Sequence, residues 1–298
     1  MPVLFKVTEP AELLRFLLTR MPDKSRTAVK SLLVHHLVSV DNAVVTQFNH
    51  GLTAGETVAF RRTGEAPSGL QRGLKIVFED DALMVVEKRA GLLSIATDAE
   101  REKTAYSLLS DYVKRADSRN LIFVVHRLDR ETSGLMMFAK NQAVQKALQQ
   151  DWQEAVSERI YVAVVEGQVS SPQGTITSWL TENKALVMRS SSTPNDGQKA
   201  TTSYRVLQTN PKYSLLELSL ETGRKNQIRV HLQDLGHPIV GDKKYGATQN
   251  PIQRLGLHAR VLAFRHPITG EVLRFESPVP KEFYQVFQPK RKPALSRR

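Results

Sequence analysis

The 298-residue chain is 41% hydrophobic and 24% charged, which is typical of a globular protein with one large domain and a smaller one. It has no cysteine, which excludes disulfides, thiol nucleophiles and cysteine-bound metal clusters. A net charge of +12 without a basic amphipathic helix that carries aromatic anchors favours nucleic acid over a membrane as the polyanionic partner. No apolar run reaches bilayer length and no signal-peptide core is found, so a cytoplasmic protein is expected.

The N-terminal part is predicted to contain two helices followed by small strands. The first helix is expected to start with Thr8 as its cap and Pro10 in its first turn, and the second near Ser25. Basic residues, including Arg26 and Lys30, lie on the polar face of the second helix. Such a module suits a phosphate backbone, but a basic helix face is more often only solvated.

Three segments of this part resemble the ribosomal-protein S-four-like RNA-binding domain. They are residues 25–33, 38–42 and 54–58. The resemblance places this small α/β domain at residues 1–62 and implies that Arg26 and Lys30 face RNA. Residues 63–73 are rich in glycine, proline and serine and are predicted to be a linker.

The region after the linker, residues 74–288, is predicted to be rich in strands with few helices. A hairpin is expected at 74–87, and Thr104 and Asn141 are predicted to cap helices, the second running to about Val156. Further strands are expected at 159–166, 174–180, 200–207 and 214–220. Strands in series need only hairpin connections, so the pattern indicates an α+β fold. Residues 289–298 are basic and predicted to form a disordered tail that touches RNA.

This region is organised around a charged loop that lies between two apolar runs. Its charged residues are His126, Arg127, Asp129, Arg130 and Glu131. Because carboxylates and guanidinium groups are costly to bury unpaired, the loop is either a cluster of ion pairs or a working site. Charged turns between strands are common, so the loop alone leaves both alternatives open.

A second charge-rich segment precedes a predicted helix that ends at Leu235. Arg224 and Lys225 at its N-terminus oppose the helix dipole and therefore require an anion, either a carboxylate of the protein or a phosphate. If Arg224 folds back onto Asp129, the pair would orient that carboxylate for attack on a sugar carbon or an electrophilic base. The sequence has no phosphate-binding glycine loop and no serine elbow. Its histidines show no zinc-protease spacing, so no metal site is expected.

Motifs spread over this region resemble those of the RluA-type RNA pseudouridine synthases. They are His126-Arg127-Leu128-Asp129, Thr132-Ser133-Gly134-Leu135, Tyr161 in its strand, Thr222-Gly223-Arg224, Gln227-Ile228-Arg229, Gly241-Asp242, Tyr245-Gly246 and Leu257-His258-Ala259. Ordered motifs over such a length are far more specific than any one of them. The resemblance implies a core of mixed, mainly antiparallel sheet with flanking helices and loops.

The resemblance also implies an activity, the isomerisation of uridine in RNA to its carbon-linked form without cofactor or metal. Asp129 would start glycosidic bond cleavage, Tyr161 would stack on the base and Arg224 would pair with Asp129. Arg127 would fill the gap left by the flipped uridine. Arg130 and Lys225 complete the predicted RNA-binding residues of this region. His231 and His258 are interpreted as structural.

Two positions depart from the family pattern, Asn226 where histidine is usual and Arg89 where proline is usual. The expected substrate is large-subunit ribosomal RNA, with tRNA as an alternative, and the protein is expected to act as a monomer. Two rival hypotheses remain: a catalytically silent RNA-binding or ribosome-assembly factor, and a hydrolase of nucleotides or sugar phosphates that uses Asp129.

Overall fold

The computed structural model describes residues 3–22, 25–34, 38–41, 43–60, 73–97, 100, 102–194 and 197–288. The predicted tail and all of the predicted linker except Gly73 lie outside the described residues. Among the described helices, none combines the length and apolar character that a membrane crossing requires.

The described residues before position 61 have their own sheet and their own hydrophobic core. The elements are β1 (Val3–Lys6), β2 (Ala11–Glu12), α1 (Leu13–Arg20), α2 (Arg26–Val34), β3 (Val38–Val40), β4 (Ala43–Val44), β5 (Gly51–Leu52) and β6 (Thr57–Phe60). Four strands pair in the order β1-β6-β3-β4. Leu13, Leu17, Val29, Leu33 and Val58 are buried together, so the apolar faces of both helices pack in one core.

The first helix begins later than its sequence indicates. Thr8 and Pro10 precede a short strand at Ala11–Glu12, which pairs with β5, and α1 starts only at Leu13. Thr8 is therefore not the helix cap, because the strand pairing has precedence over the capping pattern. The second helix begins at Arg26, as predicted from Ser25.

The described residues from Gly73 onward form one large sheet with helices around it. The elements are β7 (Leu74–Glu79), β8 (Leu83–Lys88), α3 (Ala105–Ala116), β9 (Phe123–Val124), β10 (Ser133–Ala139), α4 (Gln142–Gln150), α5 (Trp152–Ala155), β11 (Glu158–Glu166), β12 (Gln173–Glu182), β13 (Met188–Ser191), β14 (Gln198–Thr209), β15 (Tyr213–Leu220), α6 (Gln227–Asp234), β16 (Leu257–Arg265), β17 (Val272–Glu276) and α7 (Lys281–Gln285). Within this part the sheet has 11 strands, in the order β13-β12-β14-β15-β11-β16-β10-β8-β7 with β17 and β9 attached at β16 and β10. The sheet is mainly antiparallel with one parallel pair, which confirms the α+β class.

Two of the predicted helix caps are present. The Thr104 side chain accepts a hydrogen bond from the backbone N–H of Ser107, and the Asn141 side chain accepts one from Val144 at 2.9 Å. The helix after Asn141 does not run unbroken to Val156, because Asp151 leaves the helical conformation and separates α4 from α5.

The charged loop ends where β10 and β16 approach each other in parallel. Ser133 and Gly134 lie opposite His258 and Ala259. Gly134 has φ +114°, and a Cβ at this position would lie 2.1 Å from the carbonyl oxygen of Ala259. Only glycine allows this approach, which fixes the C-terminal end of the loop against the centre of the sheet.

Candidate active site

The charged loop and the segment before α6 face a common pocket. It is open to solvent, comprises about 400 Å³ of space including solvent at its mouth, and is lined by Arg127, Leu128, Asp129, Thr132, Tyr161, Leu220, Arg224, Asn226, Gln227, Ile228, Arg229 and Leu257. The structure thus brings together the three predicted catalytic residues, which lie on the loop, on β11 and before α6.

The backbone of the Asp129 loop is held by side chains from the preceding segment. Ser94 donates from its hydroxyl to the carbonyl of Leu128 at 2.7 Å and accepts from the N–H of the same residue at 3.1 Å. The amide of Thr132 donates to the carbonyl of Asp129 at 3.1 Å, which closes the turn. These bonds present the Asp129 side chain to the pocket on a fixed backbone.

A fully buried lysine supports the same loop. The Lys88 ammonium donates to the carbonyl oxygens of Arg89, Leu92 and Arg130, at 3.1, 2.7 and 3.0 Å. Burial lowers the pKa of Lys88 to about 8, although the charges of Glu131 and Asp129 act in the opposite direction. All three ammonium hydrogens are therefore used on backbone carbonyls, one of which belongs to the charged loop itself.

Arg229, rather than Arg224, is the counter-ion of Asp129. Nη1 of Arg229 donates to Oδ2 of Asp129 at 3.2 Å. The predicted partner, Arg224, donates instead from Nε to the carbonyl of Lys199 at 3.3 Å. The sequence-based pairing of Arg224 with Asp129 is thus wrong in this structure. Asn226, which lies between the two arginines and precedes α6, has φ +54°.

Burial disfavours the charge on Arg229, but two carboxylates more than compensate. Asp242 accepts from Nε and Nη2 of Arg229, both at 2.7 Å, and Asp129 accepts from Nη1. These bonds and charges raise the pKa of Arg229 above its ordinary value. Arg229 remains a cation at any pH at which the protein is folded, so its contact with Asp129 is permanently charged on the arginine side.

The predicted RNA-facing residues of this region lie around the pocket and differ in their partners. Arg127 lines the pocket and is exposed. Arg130 is exposed and donates from Nε to the carbonyl of Gly91 at 3.2 Å. Lys225 forms an ion pair with Glu182. The anion expected beside Lys225 is therefore a carboxylate of the protein in this structure.

Tyr161 is half-buried and lines the pocket from β11, where it lies opposite Ala259 and Leu218. Burial raises the pKa of Tyr161 to about 12; the nearby charge of Arg159 opposes this shift and that of Asp129 adds to it. The side chain is therefore a neutral phenol at physiological pH. A neutral ring with one face toward a pocket can stack on a base and donate a single hydrogen bond.

The two histidines interpreted as structural are buried. His231 contacts the hydroxyls of Ser178 and Thr202, both at 2.9 Å, and His258 contacts that of Ser133 at 2.8 Å. Burial lowers both pKa values to about 4. Both rings are therefore neutral at physiological pH. Both nitrogens of His231 and Nδ1 of His258 have hydroxyl partners, which fits the structural interpretation.

Sequence reasoning missed the roles of Arg229 and Lys88. Arg229 lies in the motif Gln227-Ile228-Arg229, but the spacing of that motif does not indicate which of two nearby arginines reaches a carboxylate 100 positions away. Lys88 ends an apolar strand, and a lysine there is ordinarily exposed. Its place in the Lys88-Arg89-Ala90-Gly91 segment, two positions before the Ala90-Gly91 turn, does not indicate burial.

Exposed arginines around an oriented carboxylate in an open pocket form an arrangement suited to an enzyme that works on a polyanion. A family model described as RNA pseudouridylate synthase matches residues 82–234. The uncharacterized RNA pseudouridine synthase YjbO of Bacillus subtilis is 34% identical over 215 residues, which are 72% of this chain and 76% of that protein. Ribosomal large subunit pseudouridine synthase D of Nitrosomonas europaea is 32% identical over 281 residues, 90% of this chain and 81% of that protein.

A solved structure agrees with these relatives. The human protein RNA Pseudouridylate Synthase Domain Containing 4 superposes with a TM-score of 0.59 at 25% identity, covering 72% of this chain and 93% of that chain. The chain belongs to the RNA pseudouridylate synthase family, and the resemblance drawn from its motifs is confirmed.

Proposed function

We propose that the protein isomerises specific uridines of large-subunit ribosomal RNA, and that Asp129 starts the reaction. The observation that supports this most directly is the Asp129 carboxylate in an open pocket, oriented by Arg229 at 3.2 Å. The choice of ribosomal RNA rests on the relative from Nitrosomonas europaea, whose name specifies the large ribosomal subunit. Transfer RNA is the alternative substrate that the test includes.

The proposed reaction incorporates no atoms from outside the RNA other than exchangeable protons. The bond between N1 of the uracil and C1′ of the ribose breaks with the help of the Asp129 carboxylate. The base then rotates, C5 forms a bond to C1′, and the proton leaves C5 while N1 regains one. The product has the same composition as the substrate, so the protein has only to orient groups and transfer protons.

The other pocket residues have roles that follow from their positions. Tyr161, neutral and facing the pocket, stacks on the uracil during its rotation. Arg127, exposed on the loop, occupies the space that the uridine leaves when it is flipped out of the RNA. Arg224, Arg130 and Lys225 contact the RNA backbone, with Lys225 exchanging Glu182 for a phosphate.

The N-terminal part contributes affinity in this proposal. Residues 1–62 act as an S-four-like RNA-binding domain, joined through residues 63–73 to a catalytic domain at 74–288, in a cytoplasmic monomer. Arg26 and Lys30 are exposed one helical turn apart on α2, and the Lys30 ammonium lies 5.0 Å from the centre of the Phe48 ring. An exposed aromatic ring beside two cations suits both phosphate and base contacts.

Release of tritium from uridine labelled at C5 tests the proposed reaction. Wild-type protein is incubated with transcribed large-subunit ribosomal RNA or with total tRNA, and Asp129→Asn serves as the inactive control because it keeps the shape of the side chain. We expect tritium release from ribosomal RNA with the wild-type protein and none with Asp129→Asn. Equal release by Asp129→Asn would contradict the role of Asp129, and release of free uracil would favour a hydrolase. No release from any RNA would favour the silent RNA-binding factor.

A further inference from the structure

The guanidinium of Arg229 is held from two sides. Asp242 takes Nε and Nη2 in a bidentate contact, and only Nη1 is directed to Asp129, where it is shared with Oδ1 of Asn226 at 3.2 Å. The ring of Tyr245 lies 4.8 Å from the guanidinium carbon. The orientation of Arg229 is therefore determined by residues that do not line the pocket, together with Asn226, which does.

We propose that Asp242 is a positioning residue for catalysis, which restricts Arg229 to a single hydrogen bond with Asp129 and so leaves Oδ1 of Asp129 free for the substrate. The proposal rests on the proposed function, since it requires Asp129 to be the reacting carboxylate. Among the hydrogen bonds of the described residues, those to Asp129 involve Oδ2 and the backbone carbonyl.

Geometry explains why Asp242 is needed for this restriction. An arginine and a carboxylate that meet without other partners prefer the bidentate arrangement, with two parallel N–H···O bonds. Such a contact would engage both oxygens of Asp129 with the arginine, so that neither oxygen would be free of it. Because Asp242 occupies the Nε and Nη2 edge of the guanidinium, that bidentate edge is closed to Asp129, and the guanidinium held in this orientation reaches Asp129 through Nη1.

Asp242 is itself fixed firmly enough for this task. Its side chain is 1% exposed, against 27% for that of Asp129, so the bidentate partner is the buried one. The preceding Gly241 has φ +78° and approaches the backbone of Arg254, where a Cβ would lie 2.3 Å from the carbonyl oxygen. A buried carboxylate on a tightly packed turn is costly unless paired, and Arg229 supplies the pair.

Tyr245 connects the same turn to the start of α6. Its hydroxyl accepts hydrogen bonds from the Asn226 side chain at 2.9 Å and from the backbone N–H of Met188 at 3.2 Å. Asn226 thereby holds its oxygen toward Nη1 of Arg229. The asparagine that replaces the usual histidine of the family is thus part of the same arrangement.

A double-mutant cycle between Asp242 and Arg229 tests the proposal, with the single-turnover rate of tritium release and the Kd for the RNA measured separately. We expect Asp242→Asn to lower the rate about 10- to 100-fold, with Kd changed less than about twofold, as misplacement of a reacting group does. In an Arg229→Gln background the same substitution should lower the rate less than about threefold, since no guanidinium remains to be positioned. Equal losses in both backgrounds, or no loss in the wild-type background, would overturn the proposal.

Two further variants separate positioning from folding. Asp80→Asn removes another largely buried carboxylate, which pairs with His266 at 2.9 Å away from the pocket, and it should leave the rate unchanged at a similar cost in stability. Loss of rate in Asp80→Asn equal to that in Asp242→Asn would attribute the effect to stability and refute the proposal. If Asp242→Asn yields no folded protein, the same cycle is run with Asp242→Glu, which retains the charge.

The outcome is distinguishable from failure of the proposed function. If Asp129→Asn keeps full activity, Asp129 is not the reacting carboxylate, and the proposed function and this inference both fail. If Asp129→Asn is inactive while Asp242→Asn is fully active, the proposed function stands and only the role of Asp242 is refuted.

Discussion

Arg229 and Arg224 line the same pocket but are held by different partners. Arg229 contacts Asp129 and Asp242, whereas Arg224 contacts only a backbone carbonyl through its guanidinium among the described residues. We therefore expect Arg229→Gln to lower the single-turnover rate about 100-fold or more. Arg224→Gln should chiefly weaken RNA binding, by about tenfold. A rate loss in Arg224→Gln that exceeds that in Arg229→Gln would contradict this assignment.

The buried Lys88 predicts a pH dependence of stability. Its pKa is lowered to about 8 in the folded protein from 10.5, so between these values the unfolded chain binds more protons and stability rises with pH. The stability of wild type relative to Lys88→Met should therefore increase between pH 8 and 10.5, by up to about 3 kcal/mol. Urea unfolding of both proteins across this range measures the difference. A constant difference would show that the ammonium is not desolvated as the structure indicates.

At the scale of single residues, the sequence motifs indicated which side chains line the pocket but not which arginine forms the ion pair with Asp129. Asp129 and Tyr161 were placed by their motifs, and both line the pocket. Which of Arg224 and Arg229 reaches Asp129 follows from contacts made in the folded protein, with Lys199 for Arg224 and Asp242 for Arg229, and spacing along the chain does not indicate them. The burial of Lys88 depended on three carbonyls brought together by the fold, so no local pattern could indicate it.

At the scale of the structural elements, the parallel contact between β10 and β16 makes the fold sensitive to substitution of Gly134. Gly134→Ala meets the Ala259 backbone at 2.1 Å in addition to a positive φ. Gly270→Ala is the matched control, because Gly270 has φ +72° with no atom near its would-be Cβ. We expect the control to lose about 1 to 2 kcal/mol of unfolding free energy, and Gly134→Ala to lose at least about 4 kcal/mol or fail to fold. Similar losses in urea unfolding would contradict the close approach.

Elements were predictable where their signals were local. The hairpin of β7 and β8 follows from two apolar runs that flank Asp80 and Asp81. Thr104 and Asn141 cap their helices, and a cap is recognised from adjacent positions. The start of α1 was misplaced because residues 11–12 pair with β5, about forty positions further along. The pairing of β10 with β16 is likewise set by packing over a long separation, and a sequence pattern gives no measure of it.

At the scale of the whole molecule, the pocket depends on segments that are distant in the chain. Asp129 and Arg229 are 100 positions apart, and Asp242 reaches the pair from a third segment. The order of the motifs indicated that these segments belong to one site, whereas the contacts among them required the folded sheet. The described residues before position 61 have a separate core, so changes there can be made without altering the pocket.

This separation allows the proposed RNA-binding role of the N-terminal part to be tested in the full-length chain. Arg26→Gln combined with Lys30→Gln removes two exposed charges from α2. Each lost phosphate contact lowers the slope of log K against log salt by about 0.7 to 0.9, so the slope should fall by about 1.5 while the turnover of bound RNA stays unchanged. Lys114→Gln combined with Lys146→Gln removes two exposed charges from α3 and α4, which do not line the pocket, and should leave the slope as in wild type. Equal slopes for the two double variants in filter-binding titrations would show that α2 does not contact the RNA backbone.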